Sequence, residues 1–479
     1  MTAPTKRAAG IDGPRMWPWL LSAVVVITGF WWAPTAQRVP RFNVVIVTLD
    51  TTRADRLSPY GFMGVPMPAL DRLAREGVVF DRATSVAPLT LPAHTSLFTG
   101  LFPPRHGVRD NLDKALANHH PTLAEVLRTN GFRTGAFVGS IVLAPGRGLD
   151  RGFDEYTGPG SRGSERAAGD HRAPQRRADA VVTDAVRWLD GVAGSRFFLW
   201  AHFYDAHRPY DPPDPFRSAY HDPYVGEIAF ADSQIGRLLG ALEARRLMKD
   251  TIVIVAGDHG ESLGDHGERD HGIFVYESVL RVPLVIRAPT ISAGRVGAVV
   301  RLTDVMPTVL DLVGAPSPPM DGVSVMDLLT GRQADLQLEA FSESEYPTRL
   351  GWSPLRALRR GRFKLIDAPR AELYDLERDP FEERNLYDDR RMTAESLARR
   401  LDVVVRQYSS TDPEGSSKPA HVPDHVAKQI ASLGYVGSKR PPALMPSGRG
   451  QDPKDCIALF NARRDQDEAI GKATLLHCQ

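Results

Sequence analysis

Residues 42–48 form a short run of apolar, mostly β-branched residues that closes on Asp50. A run this short and this apolar suits a strand buried on both faces of a sheet. Comparable strands are predicted at 134–138, 197–202, 251–256 and 282–287. Amphipathic helices at 68–76, 122–130, 178–192, 224–246 and 304–313 alternate with them, Thr122 supplying an N-cap and Gly131 a stop. Such alternation demands an α/β fold, a mainly parallel central sheet flanked by helices. Past Tyr346 the texture changes. Residues 355–366 and 371–376 read as short antiparallel strands joined by tight turns, a small C-terminal sheet subdomain. A linker rich in Pro, Gly and Ser follows Asp412, and a helical stretch starts at Pro453.

No charged residue lies between Arg15 and Arg38, and residues 19–33 are strongly apolar. About 20 apolar residues cross a bilayer as a helix. Lys6, Arg7 and Arg15 precede the run, which keeps the N-terminus inside and exports the rest. Trp17, Trp19, Trp31 and Trp32 stand at its two ends, where interfacial aromatics belong. The expectation is an inner-membrane anchor with the remainder facing the periplasm or another extracytoplasmic space. The alternative is a signal peptide cut after Ala36, giving a secreted chain; Pro34 is a poor neighbour for such a cut. The expected partition is 1–40 (cytoplasmic stub with anchor or signal), 41–345 (catalytic domain), 346–395 (antiparallel subdomain) and 396–479 (helix, linker and tail).

Composition narrows the chemistry. Lys+Arg is 59 and Asp+Glu 58, a net charge of +1, so no global bias points to nucleic acid. The two cysteines, Cys456 and Cys478, leave no Cys zinc cage and no Cys nucleophile upstream of them. In open α/β sheets, ligands bind beyond the carboxyl ends of the strands. Three predicted strands end in polar residues there: Asp50 after the first; His202, Asp205 and His207 after another; and Asp258, His259 and Glu261 after a third. Carboxylates and imidazoles converging on one edge suit a divalent metal ion. Residues 87–100 add a helix with Pro92 in its first turn and Gly100 at its end. That places the Thr90 hydroxyl at a helix N-terminus, a place that favours phosphate or sulfate and equally a place for a simple cap.

These residues resemble the sulfatase family of the alkaline phosphatase superfamily. The likeness runs in family order through residues 43–50, 97–107, 257–261, 276–284, 303–308 and 372–376, with Asp379 and Pro380 after the last. The resemblance implies the family's parallel-sheet catalytic domain and an ester hydrolase. It also carries a departure. The family's nucleophile is a Cys or Ser oxidised to formylglycine; here that position is Thr90, with Pro92 matching the family's Pro and His94 replacing the nucleophile-orienting Arg. Threonine oxidation gives a ketone, not formylglycine. Thr90 instead resembles the phosphodiesterase and phosphotransferase branches, in which the hydroxyl attacks phosphorus directly and forms a phosphothreonine.

By the same resemblance Asp50, Asp258 and His259 are ligands of one divalent ion (Mn, Ca, Mg or Zn), and Thr90 Oγ completes the set. His207 matches the histidine that contacts substrate or protonates the leaving group. His271 falls near a lysine that touches the transition state, and Asn111 matches a substrate-binding Asn of the phosphonate monoester hydrolase branch. His202, Asp205, His266 and His106 read as loop hydrogen-bonding residues. The resulting expectation is a metal-dependent hydrolase or transferase that cleaves phosphate mono- or diesters of a small molecule, lipid or glycan. The alternatives are a sulfate ester hydrolase and a non-catalytic binding member of the family.

Overall fold

The structure, a computed structural model, describes residues 1–3, 5, 42–112, 115–159, 175–192, 194–409 and 450–470, with side chains only to 462 in the last stretch. The expected anchor or signal segment lies outside the described residues. Among the described residues no helix is long and apolar enough to cross a membrane.

Among the described residues nine strands build the large sheet: β1 (Asn43–Leu49), β2 (Val78–Thr84), β3 (Arg133–Val138), β4 (Glu155–Thr157), β5 (Phe197–Phe203), β6 (Thr251–Gly257), β7 (Arg281–Val282), β8 (Leu284–Arg287) and β9 (Gly294–Arg301). The order runs β4-β3-β5-β1-β6-β8-β2-β7, and β9 pairs with β2. From β4 to β6 every pairing is parallel; β8 and β7 pair antiparallel with their neighbours. The fold is therefore the mostly parallel α/β architecture that the alternation demanded.

All seven residues of β1 are buried, because the strand sits mid-sheet between β5 and β6. Its side chains alternate between two cores. Val44 and Ile46 pack on one face with Phe198 and Trp200, under Leu91, Ala93, Leu97 and Phe98 of the Thr90–Thr99 helix. Val45, Val47 and Leu49 pack on the other, against the Ala178–Gly191 and Pro223–Ala244 helices. Each such side chain contributes roughly 1.5–3 kcal/mol relative to exposure. Thr122 forms a full capping box with Glu125, and Gly131 takes the left-handed conformation at φ 83° just past the helix.

The second sheet is antiparallel, in the order β10 (Glu339–Ser344), β11 (Leu355–Arg360), β12 (Phe363–Asp367), β13 (Glu372–Asp375). Its first strand precedes the change of texture at Tyr346. Phe341, Leu358, Leu365 and Leu373 make a third core with Leu397, Leu401 and Val404 of the Arg391–Tyr408 helix. The last described segment returns to this unit. Trp352 bridges to Gln451, and Ile457 and Phe460 of the Pro453–Ile470 helix are buried in the main core.

Candidate active site

β1 and β6 are adjacent and parallel, so their carboxyl ends bring Asp50 beside Asp258 and His259. Asp50 N donates to Phe203 O (3.0 Å) and Asp258 N to Leu49 O (3.2 Å), which fixes both turns to the sheet. The three side chains are fully buried, and their potential ligand atoms lie within 4.8 Å of one another. His259 Nε2 is 3.5 Å from Asp50 Oδ1, 3.6 Å from Asp258 Oδ2 and 3.4 Å from Thr90 Oγ1. His259 Nδ1 donates to Gly260 O (2.9 Å), so the Nε2 lone pair faces the carboxylates.

Both Asp50 oxygens and Asp258 Oδ2 are buried without a hydrogen-bond partner among the described residues. Burial works to raise the Asp50 pKa, but the imidazoles of His202, His207 and His259 hold it well below the usual range. Burial, and then the Asp50 charge, push Asp258 well above it. Two carboxylates this close resist ionising together, and a divalent cation is the partner that relieves both. The residues present thus fit a metal ion.

Thr90 opens the Thr90–Thr99 helix, yet its hydroxyl makes no cap; Oγ1 points at His259 instead. Gly100 ends the helix at φ 68°, as its sequence position required. Asn111 is fully buried. Its Oδ1 accepts from Leu91 N (2.9 Å), and its Nδ2 has no partner among the described residues. His94 lies one turn along the helix and is buried; burial, then the neighbouring His202, lower its pKa to about 3. A neutral imidazole therefore stands where the family resemblance places an Arg.

His271 Nδ1 meets Glu261 Oε1 at 2.9 Å, and Glu261 Oε2 accepts from Tyr210 OH (3.0 Å). Burial opposes protonation of His271, and Glu261 outweighs it, raising the pKa. The His271 ring packs 4.6 Å from His259 and 5.0 Å from His207, centre to centre. His207 Nδ1 donates to Arg208 O (2.6 Å), and burial drops its pKa to about 4. Two bases of opposite tendency thus share one wall.

The four residues read as loop hydrogen-bonders divide. Asp205 accepts from Ala178 N (2.8 Å), His106 bonds Ser96 Oγ (2.9 Å), and His266 bonds Phe381 O (3.1 Å), all away from the triad. His202 does not fit that reading. It is fully buried, with Nε2 3.5 Å from Asp50 Oδ2 and its ring 4.9 Å from His94. Sequence reasoning grouped Glu261 with the strand-end carboxylates but gave it no role of its own, and it gave none to Thr48 or Trp200. Glu261 had a signal, since it stands two residues after His259; the other two are visible only once the strands are in register.

A family model described as Sulfatase matches residues 42–315. The chain belongs to the sulfatase family. A second model, the C-terminal region of N-sulphoglucosamine sulphohydrolase, matches residues 264–407 of this sulfatase-family chain. An N-acetylglucosamine-6-O-sulfatase of Bacteroides thetaiotaomicron is 23% identical to it over 80% of this chain and 89% of the relative. A choline-sulfatase of Rhizobium meliloti is 26% identical over 73% of this chain and 83% of the relative. Among solved structures, the phosphonate monoester hydrolase of Agrobacterium radiobacter shares the fold at a TM-score of 0.65, with 23% identity over 77% of this chain and 96% of that one. The protein is an ester hydrolase of this family.

Proposed function

We propose that this family member cleaves phosphate mono- or diesters with Thr90 as nucleophile. The observation that carries the reading is the Thr90 hydroxyl, left free of capping duty at a helix N-terminus and aimed at His259 Nε2 from 3.4 Å. In the proposed step Oγ1 gives its proton to solvent water and attacks phosphorus. The bond to the ester oxygen breaks, and the departing alkoxide takes a proton from His271, whose raised pKa favours the protonated ring, while neutral His207 on the same wall contacts the substrate. The resulting phosphothreonine is then opened by water or by a second alcohol. Asn111 Nδ2, buried with no partner among the described residues, would hold a non-bridging oxygen. Asp50, Asp258 and His259 would hold a divalent ion, which supplies charge neutralisation and a lowered hydroxyl pKa when bound. The charge-free run between Arg15 and Arg38 supports export and anchoring at the membrane, with lipid, glycan or small-molecule esters as substrates.

The test is turnover of nitrophenyl phosphate, phosphodiester, phosphonate ester and sulfate by the purified full chain with Mn, Zn, Mg or Ca. Phosphoester turnover is expected, with Thr90→Ala slower by about a thousandfold or more, since neighbouring groups do not replace a nucleophile. Mass spectrometry of quenched enzyme should find phosphate on Thr90. A second reading, sulfate ester hydrolysis, is favoured by the names of the curated relatives. Inorganic sulfate released while Thr90 stays unmodified would establish that reading instead.

A further inference from the structure

Thr48 stands out in β1. Its neighbours on the same strand face, Val44 and Ile46, are apolar, and it is fully buried itself. Valine would fill the same volume without a hydroxyl to satisfy, and a buried hydroxyl is unfavourable unless it is hydrogen-bonded. Thr48 has two partners. Trp200 Nε1 donates to Thr48 Oγ1 at 2.9 Å, and His94 Nε2 lies 2.9 Å from the same oxygen.

The direction of each bond follows from the atoms. His94 Nδ1 lies 2.8 Å from Thr90 O, and a carbonyl only accepts, so Nδ1 carries the imidazole proton. His94 Nε2 is then the acceptor, and the Thr48 hydroxyl donates to it. Trp200 Nε1 can only donate. The result is a one-way chain from Trp200 through Thr48 and His94 to the carbonyl of Thr90. Strand register builds it: Ile46 pairs with Trp200 and Thr48 with His202, which puts Thr48, Trp200 and His202 on the face beneath the Thr90–Thr99 helix. The Trp200 ring also packs 5.4 Å from His94 and 4.6 Å from Phe98, centre to centre.

We propose that Thr48 is a positioning residue, whose hydroxyl orders His94 so that the first turn of the helix presents Thr90 Oγ1 at a fixed angle. The inference rests on the reading of Thr90 as the attacking group. Thr48→Val keeps the shape and removes the donor; Thr48→Ser keeps the donor. Thr48→Val should lower kcat about tenfold and leave KM within about twofold, as loss of one buried hydrogen bond acting on the transition state would. Thr48→Ser should recover most of that loss. Heteronuclear NMR of the imidazole nitrogens, with His94 assigned by His94→Gln, should show a hydrogen-bonded Nε2 in the natural and Ser proteins and a free one in Thr48→Val.

Wild-type kcat in Thr48→Val, a loss that Ser does not restore, or a proton found on His94 Nε2 would each overturn the proposal. Should Thr48→Val not fold, Trp200→Phe removes the first donor while keeping an aromatic ring. It should give a smaller loss confined to kcat, and an unchanged kcat there overturns the proposal too. If Thr90→Ala keeps its turnover, the nucleophile reading has failed, while the NMR result still decides whether the hydrogen-bond chain exists.

Discussion

Asp50 and Asp258 approach one imidazole from two strand ends, and their carboxylates oppose each other until a cation arrives. Removing one charge should therefore act in opposite directions with and without metal. In chelator, Asp258→Asn should melt at or above the natural protein, because it deletes a buried repulsion. With metal at about 100 times its dissociation constant, the natural protein gains ~2.7 kcal/mol that the variant cannot. Calorimetry in both conditions checks the crossover. Asp205 supplies a pH dependence. Burial, and then Glu227, raise its pKa from 3.8 to about 8. The folded protein thus holds a proton that the unfolded chain has already released. Its stabilising effect is full below about pH 4 and is lost as pH climbs towards 8. Asp205→Asn keeps an oxygen for Ala178 N, so it should match the natural protein near pH 4 and exceed it near pH 8 in urea titrations.

At the scale of elements, Gly260 sets how close the His259 turn can come to the Glu277–Leu280 helix. A Cβ at Gly260 would stand 2.1 Å from Ser278 O, a backbone atom that cannot turn aside. Gly260→Ala should cost about 1–3 kcal/mol, as overpacking does, and weaken metal binding as His259 shifts. Paired denaturation and metal titrations check both. The central strands and long helices were legible in the sequence because they are uniformly apolar or cleanly periodic. β2 and β9 were not, since Asp81 and Arg82 interrupt one and the other opens with Gly294 and Arg295 at an exposed end. The carboxylates, His259 and Thr90 were legible because each follows a strand end or opens a helix. Thr48 and Trp200 acquire their place only from the pairing of β1 with β5, which no local pattern announces, and the same pairing turns His202, already legible at its strand end, towards Asp50.

Across the whole molecule, the Pro453–Ile470 helix ties the far end of the chain to the catalytic unit. Trp352 and Phe460 meet with ring centres 5.9 Å apart, and Asn461 Nδ2 donates to Gly267 O at 2.6 Å, in the loop that follows Glu261. Phe460→Ala should destabilise the fold by about 3–5 kcal/mol, the usual loss for a buried ring, and thermal unfolding reads it directly. The strand order has a consequence for how the protein is made. β1 is among the first strands to be synthesised, yet its partner β6 arrives far later, with Asn43 and Thr251 separated by 208 positions. A nascent chain still short of β6 owns Asp50 without Asp258 or His259. Until β6 has been made it has no complete cation site, so any ion held there can be bound only after Asp258 and His259 have joined Asp50.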